Sequence, residues 1–121
     1  MRNIILALLF ASFLIGCAET DSKSITELSA VDVETGILLD VRTAQEYDEG
    51  HIEQSINIDW LGNEFLESTK DLNKNKPVYV YCKKGGRSAK AAKFLDSLGF
   101  KRVIDLKGGY EAYVSKKKDL K

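Results

Sequence analysis

The chain has 121 residues, 44% of them hydrophobic, and a single proline, which suits one compact domain and leaves little room for a second. Its 18 basic and 18 acidic residues cancel. That balance excludes a domain-wide basic field for nucleic acid and an acidic tail for a basic partner.

The first stretch, MRNIILALLFASFLIGC, starts basic at Arg2, runs apolar from Ile4 to Ile15 and ends on Gly16 and Cys17. It falls short of the about 20 apolar residues that a membrane span needs and fits the apolar region of a secretory signal. Its end, LIGC, resembles the bacterial lipoprotein signal. The resemblance implies a signal peptide over 1–16, cleavage before Cys17 and a lipid on that cysteine. It also implies attachment to a membrane in the bacterial cell envelope, on a periplasmic or extracytoplasmic face. The alternatives are an uncleaved anchor or a plain signal peptide with a chance cysteine. Loss of Arg2 would leave 17 basic against 18 acidic residues, a net charge of −1. AETDSKS is polar and reads as a tether, so 17–27 is assigned to lipidated cysteine and linker, and 28–121 to the folded domain.

Strand and helix patterns then alternate. LSAVDVETG predicts a short helix with Ser29 as N-cap, Asp32 three residues on and Gly36 as its stop. ILLDV (37–41) is an apolar run of strand length, and TAQEYDEG repeats the capping-box pattern with Thr43, Glu46 and a closing Gly50. INID (56–59) predicts a short strand. WLGNEFLESTKDL predicts a helix with Leu61, Phe65, Leu66 and Leu72 near one face. After a turn at Pro77, VYVY (78–81) is the clearest strand and RSAKAAKFLDSLGF the clearest helix, with Gly99 at its C′ position. RVIDL (102–106) is the last strand. Gly108 and Gly109 follow, then an amphipathic segment ending in Lys116, Lys117 and Lys118, where positive charge suits a helix C-terminus. Alternating strands and helices predict an α/β domain with parallel crossovers, its sheet covered on both faces. In such sheets, sites form beyond the carboxyl ends of strands.

Cys82 stands at that place on the best strand, directly before the best helix. With Cys17 lipidated, it is the one free thiol. A thiolate is the reactive form, and cations or a helix N-terminus favour it over the thiol. Lys83, Lys84 and Arg87 supply charge, and the helix start supplies unpaired N–H groups. Gly85 and Gly86 allow the backbone to curl into an anion-binding nest. Ser88 is placed to cap or hydrogen-bond at the helix start.

CKKGGRS resembles the active-site loop of the rhodanese (sulfurtransferase) family, Cys-x-x-Gly-x-Arg-Ser. DVRTAQEYDEGHI (40–52) is similar to its upstream signature and VIDLKGGYEAY (103–113) to its C-terminal one, with Tyr113 where the family often has tryptophan. The resemblance spans about Leu28 to Tyr113. It implies a three-layer α/β/α rhodanese-like domain with a mainly parallel central sheet. It also implies a sulfurtransferase that moves sulfane sulfur from thiosulfate or a related donor, through a Cys82 persulfide, to cyanide or a thiol. Lys83, Lys84, Gly85, Gly86, Arg87 and Ser88 would bind the anionic donor, with Asp40 and Arg42 in support. The alternative is a persulfide carrier that relays sulfur to a protein partner.

Phosphatases and arsenate reductases of the same fold have five residues between cysteine and arginine, whereas here four intervene, Lys83 to Gly86. The resemblance implies that the shorter ring suits a sulfur atom rather than phosphate or arsenate. His51, the only histidine, is expected to be structural, Arg42 and Glu46 are expected to pair with each other, and Trp60 is expected in the core or at the pocket wall. No cofactor is implied, and one histidine with one usable cysteine is too few for a zinc site. A tethered monomer is expected.

Overall fold

The structure is a computed structural model that describes residues Thr20–Leu120. The expected signal peptide (1–16) and Cys17 lie outside the described residues. Five strands, β1 (Asp21–Ser24), β2 (Ile37–Asp40), β3 (Ile56–Asn57), β4 (Val78–Tyr81) and β5 (Val103–Lys107), form one sheet in the order β1-β5-β4-β2-β3. Every pairing is parallel. The helices are α1 (Ala30–Thr35), α2 (Ala44–Glu49), α3 (Phe65–Thr69), α4 (Gly86–Ser97) and α5 (Gly109–Asp119).

Alternate side chains of the central strands feed two separate cores, as the pleat requires. Leu39, Val78, Val80 and Val103 pack with Phe65 of α3 and with Ala91, Ala92 and Leu95 of α4. Leu38, Tyr79, Tyr81, Ile104 and Leu106 pack on the other face with Ile25 and Ile52, backed by Val33 of α1 and by Tyr110 and Tyr113 of α5. The result is a three-layer α/β/α domain. All four residues of β4 are buried, which explains a continuous apolar run rather than an alternating one. Each such apolar side chain contributes roughly 1.5–3 kcal/mol.

Local signals set the helix starts. Ser29 accepts from the Asp32 amide while the Asp32 carboxylate accepts from the Ser29 amide, and Thr43 and Glu46 form the same reciprocal box. These close the first turns of α1 and α2 and satisfy amides that would otherwise be orphaned.

Two expectations are corrected. Residues 17–27 are not tether throughout, because Asp21–Ser24 pairs in register with Ile104–Lys107. DSKS has no apolar residue to announce a strand. It is held at the sheet edge by backbone pairing and by Ile25, which follows it and is buried. The ordered domain therefore starts before Leu28. Residues 60–72 do not form one helix either. Asp59 turns the chain instead, its Oδ1 accepting from Leu61 N at 2.9 Å and its carbonyl from Gly62 N at 3.2 Å. Only Phe65–Thr69 is helical, so Leu61 and Leu66 face solvent while Phe65 is buried.

Candidate active site

Cys82 is the first residue beyond the carboxyl end of β4, a strand with a neighbour on both sides. The chain then turns through Lys83 and Lys84 into α4, whose N-cap is Gly85. Gly85 holds φ at 131°, a conformation that only glycine adopts at little cost. Gly86 has no positive φ, so one glycine of the pair carries the bend.

The sulfur sits inside this turn. Gly85 N–H donates to Cys82 Sγ at 3.1 Å, and the thiol faces Ser88 Oγ at 3.5 Å. Ser88 Oγ in turn donates to Gly85 O at 3.1 Å. Ser88 is therefore not the N-cap but a first-turn residue that ties the cysteine to the loop. Among the described residues, Gly85 supplies the one backbone donor to Sγ, fewer than a nest of successive amides would give. The N-terminus of α4 places the positive end of its dipole at the same spot. Cys82 is only 1% exposed and belongs to the core beneath α3 and α4, so the thiol is covered rather than set in an open cup.

The charged residues divide by partner. Arg87 Nη1 and Nη2 reach Glu46 Oε1 and Oε2 at 2.6 and 3.0 Å. Hydrogen bonds from Arg87, and more weakly from Thr43, hold the Glu46 carboxyl down at about 2. The expected Arg42–Glu46 pair does not form. Arg42 is buried and instead grips Asp40 through Nε and Nη2, at 3.1 and 2.7 Å. It also donates to Gly50 O at 2.7 Å and lies over the Tyr110 ring, 4.3 Å from its centre. Asp40 accepts from Arg42 N as well, so this pair ties the end of β2 to the α2 turn and to α5. Lys83 and Lys84 are exposed and form no ion pair among the described residues.

The loop is also braced from behind. Tyr110 N donates to Cys82 O at 2.8 Å and Glu111 N to Lys83 O at 3.1 Å. Gly109 makes the approach close enough, with φ at 64° and a position where a Cβ would lie 2.7 Å from Cys82 O and press into Lys83 O. An open cleft of about 380 Å³ lies alongside, lined by Arg42, Glu46, Lys83, Tyr110, Glu111 and Lys118 among others.

His51 is exposed, stacks on Tyr47 at 3.7 Å and bonds Tyr47 O through Nδ1, a local structural role. Trp60 packs edge-on against Phe65 and Phe94 and is a core aromatic. Tyr113 stacks on Tyr110 at 6.1 Å. Sequence patterns did not single out Asp105, a buried carboxylate on β5 facing α4, or Tyr81, whose hydroxyl donates to Ser55 Oγ and accepts from Ile52 N. The one signal for Asp105 is an acid inside the apolar run VIDL.

Known proteins resemble the chain at several levels. The Rhodanese-like domain family model matches residues 24–116. A sulfurtransferase of Allochromatium vinosum is 33% identical over 95 residues, covering 78% of this chain and 86% of its own. The thiosulfate sulfurtransferase GlpE of Coxiella burnetii is 35% identical over 77 residues, covering 64% and 70%. The crystal structure of a rhodanese-related protein from Thermoplasma volcanium superposes with a TM-score of 0.70 at 33% identity, covering 79% of this chain and 92% of that one. With the family model spanning most of its length and the loop geometry above, the chain belongs to the rhodanese-like domain family.

Proposed function

We propose that this domain is a sulfurtransferase that carries sulfane sulfur as a persulfide on Cys82. The observation that supports it most is the sulfur's position. It lies at the C-terminal end of a central parallel strand, under the N-terminus of α4, with the Gly85 amide donating to it. These groups favour negative charge on sulfur.

Cys82 thiolate attacks the outer sulfur of thiosulfate. A new S–S bond forms, the old one breaks, and sulfite leaves with the electron pair. A thiolate or cyanide then takes the outer sulfur and releases Cys82. The donor is anionic, and among the described residues Lys83 and Lys84 form no ion pair, whereas Glu46 already neutralises Arg87. Arg87 then acts chiefly by fixing the loop, and Asp40 and Arg42 by fixing the strand end beside it. The four-residue spacing from Cys82 to Arg87 suits a sulfur atom better than a tetrahedral oxyanion. A lipid on Cys17 would hold the domain at the face of a membrane in the cell envelope.

Formation of thiocyanate from thiosulfate and cyanide, lost in Cys82→Ser, tests the reading. Hydrolysis of aryl phosphates without thiocyanate would replace it with a phosphatase. A persulfide that forms but turns over poorly with every small acceptor would favour a carrier that serves a protein partner.

A further inference from the structure

The first residues of β1, β4 and β5 stand at one end of the sheet, since Asp21 pairs with Ile104 and Val78 with Val103. The two loops that lead into β4 and β5, residues 73–76 and 99–102, meet there. Lys101 N donates to Lys74 O and Val78 N to Arg102 O, both at 3.0 Å. These loops present Lys74, Lys76, Lys101 and Arg102, all exposed, and contain no acid; Asp71 and Asp96 precede them in sequence. Among the described residues Lys74, Lys76 and Lys101 form no ion pair, and Arg102 lies 3.7 Å from Asp21. Asp21 in turn is separated from Cys17 by only Ala18, Glu19 and Thr20. Four residue steps span at most about 14 Å. A lipid on Cys17 would therefore keep this end of the edge strand close to a bilayer. Cys82 follows the opposite, carboxyl end of β4, about 13 Å beyond Val78 along the strand.

We propose that Lys74, Lys76, Lys101 and Arg102 dock this end of the domain on anionic lipid headgroups, which turns Cys82 away from the bilayer and toward water. The inference rests on the lipid at Cys17, not on sulfur transfer. The short tether sets distance but not tilt. The four cations set the tilt, because each basic residue close to an anionic surface strengthens the contact about fivefold. That attraction fades beyond about 10 Å in moderate salt, a distance the tether does not allow the loops to exceed by much. The backbone bonds between the two loops hold the four side chains as one group. The other run of cations, Lys116 to Lys118, is placed differently. It lies in the last turn of α5, where positive charge suits the helix end, and Lys116 donates to Thr26 O, past the far end of β1. With the basic loops on the membrane, the sulfur donor and acceptor reach Cys82 from the aqueous side, as soluble molecules rather than as components of the bilayer.

The full chain, produced in a bacterium and purified in detergent, is weighed by intact mass spectrometry to read the state of Cys17. It is then reconstituted on vesicles of phosphatidylcholine alone or of phosphatidylcholine mixed equally with phosphatidylglycerol. Acetylation rates are read lysine by lysine by peptide mass spectrometry. Lys74, Lys76 and Lys101 should react several-fold more slowly on the anionic vesicles, and high salt should abolish the difference. Lys83 and Lys84 should react alike on both. Lys76→Glu combined with Arg102→Glu should return Lys74 and Lys101 to their rates on neutral vesicles. Equal rates on the two vesicles, or slowing of Lys83 and Lys84 or of Lys116 to Lys118 instead, would overturn the docking. An unmodified Cys17 would remove the anchor and the docking with it. A lipidated chain that docks through these loops but never carries a persulfide would leave the docking standing and remove the proposed transfer activity.

Discussion

Arg87 grips Glu46 with both terminal nitrogens, which locks the first turn of α4 to the first turn of α2. Glu46 also closes the capping box on Thr43, so one carboxylate stabilises a helix start and the loop beneath Cys82. Its folded value of about 2 lies below the unfolded carboxylate range near 4.3. The stabilisation is therefore complete above that range and is lost as pH falls through about 2. Glu46→Gln should lower stability by about 1 kcal/mol at neutral pH, since the pair is partly exposed. Urea unfolding across pH checks this, with the gap between variant and wild type closing between about 4 and about 2.

The glycines of the site should respond differently to a methyl group. At Gly109 an added Cβ meets the carbonyls of Cys82 and Lys83, and φ is 64°. Gly109→Ala should cost more than about 2 kcal/mol and displace the loop. At Gly86 a Cβ meets nothing within 4 Å, and Gly86→Ala should stay within about 0.5 kcal/mol of wild type. Thermal melts of the two variants side by side test the contrast.

These glycines show where sequence patterns suffice and where they do not. The apolar runs of β2, β4 and β5, the two capping boxes and the Cys82–α4 junction follow from local rules, because the signal lies in adjacent residues. Edge strand β1 is polar and owes its form to β5, 83 residues on, so no local pattern reveals it. The ion pairs are misjudged for the same reason. Arg42 and Glu46 are four apart in sequence, but Asp40 is nearer to Arg42 in space, and Arg87 arrives at Glu46 from a separate helix.

Tyr81 offers a test of the second core. Its hydroxyl is buried, donates to Ser55 Oγ at 3.1 Å and accepts from Ile52 N at 3.1 Å. Burial pushes its phenol above the ordinary range, against those two bonds, and keeps it neutral. Tyr81→Phe orphans the Ile52 amide and should cost roughly 1–3 kcal/mol by chemical denaturation.

Removing the two exposed lysines of the loop separates binding from folding. The double variant Lys83→Ala, Lys84→Ala should need several-fold more thiosulfate for half-maximal rate. Its unfolding free energy should stay within about 0.5 kcal/mol of wild type, because both side chains are exposed. An unchanged thiosulfate dependence would make these lysines ordinary solvated surface.

The central claim is that the sulfur of Cys82, covered as it is, accepts a second sulfur atom. Mass spectrometry of the protein after exposure to thiosulfate tests this most directly. The account predicts a gain of one sulfur atom located at Cys82, removed by cyanide and absent in Cys82→Ser. A folded protein whose mass at Cys82 never changes would contradict it.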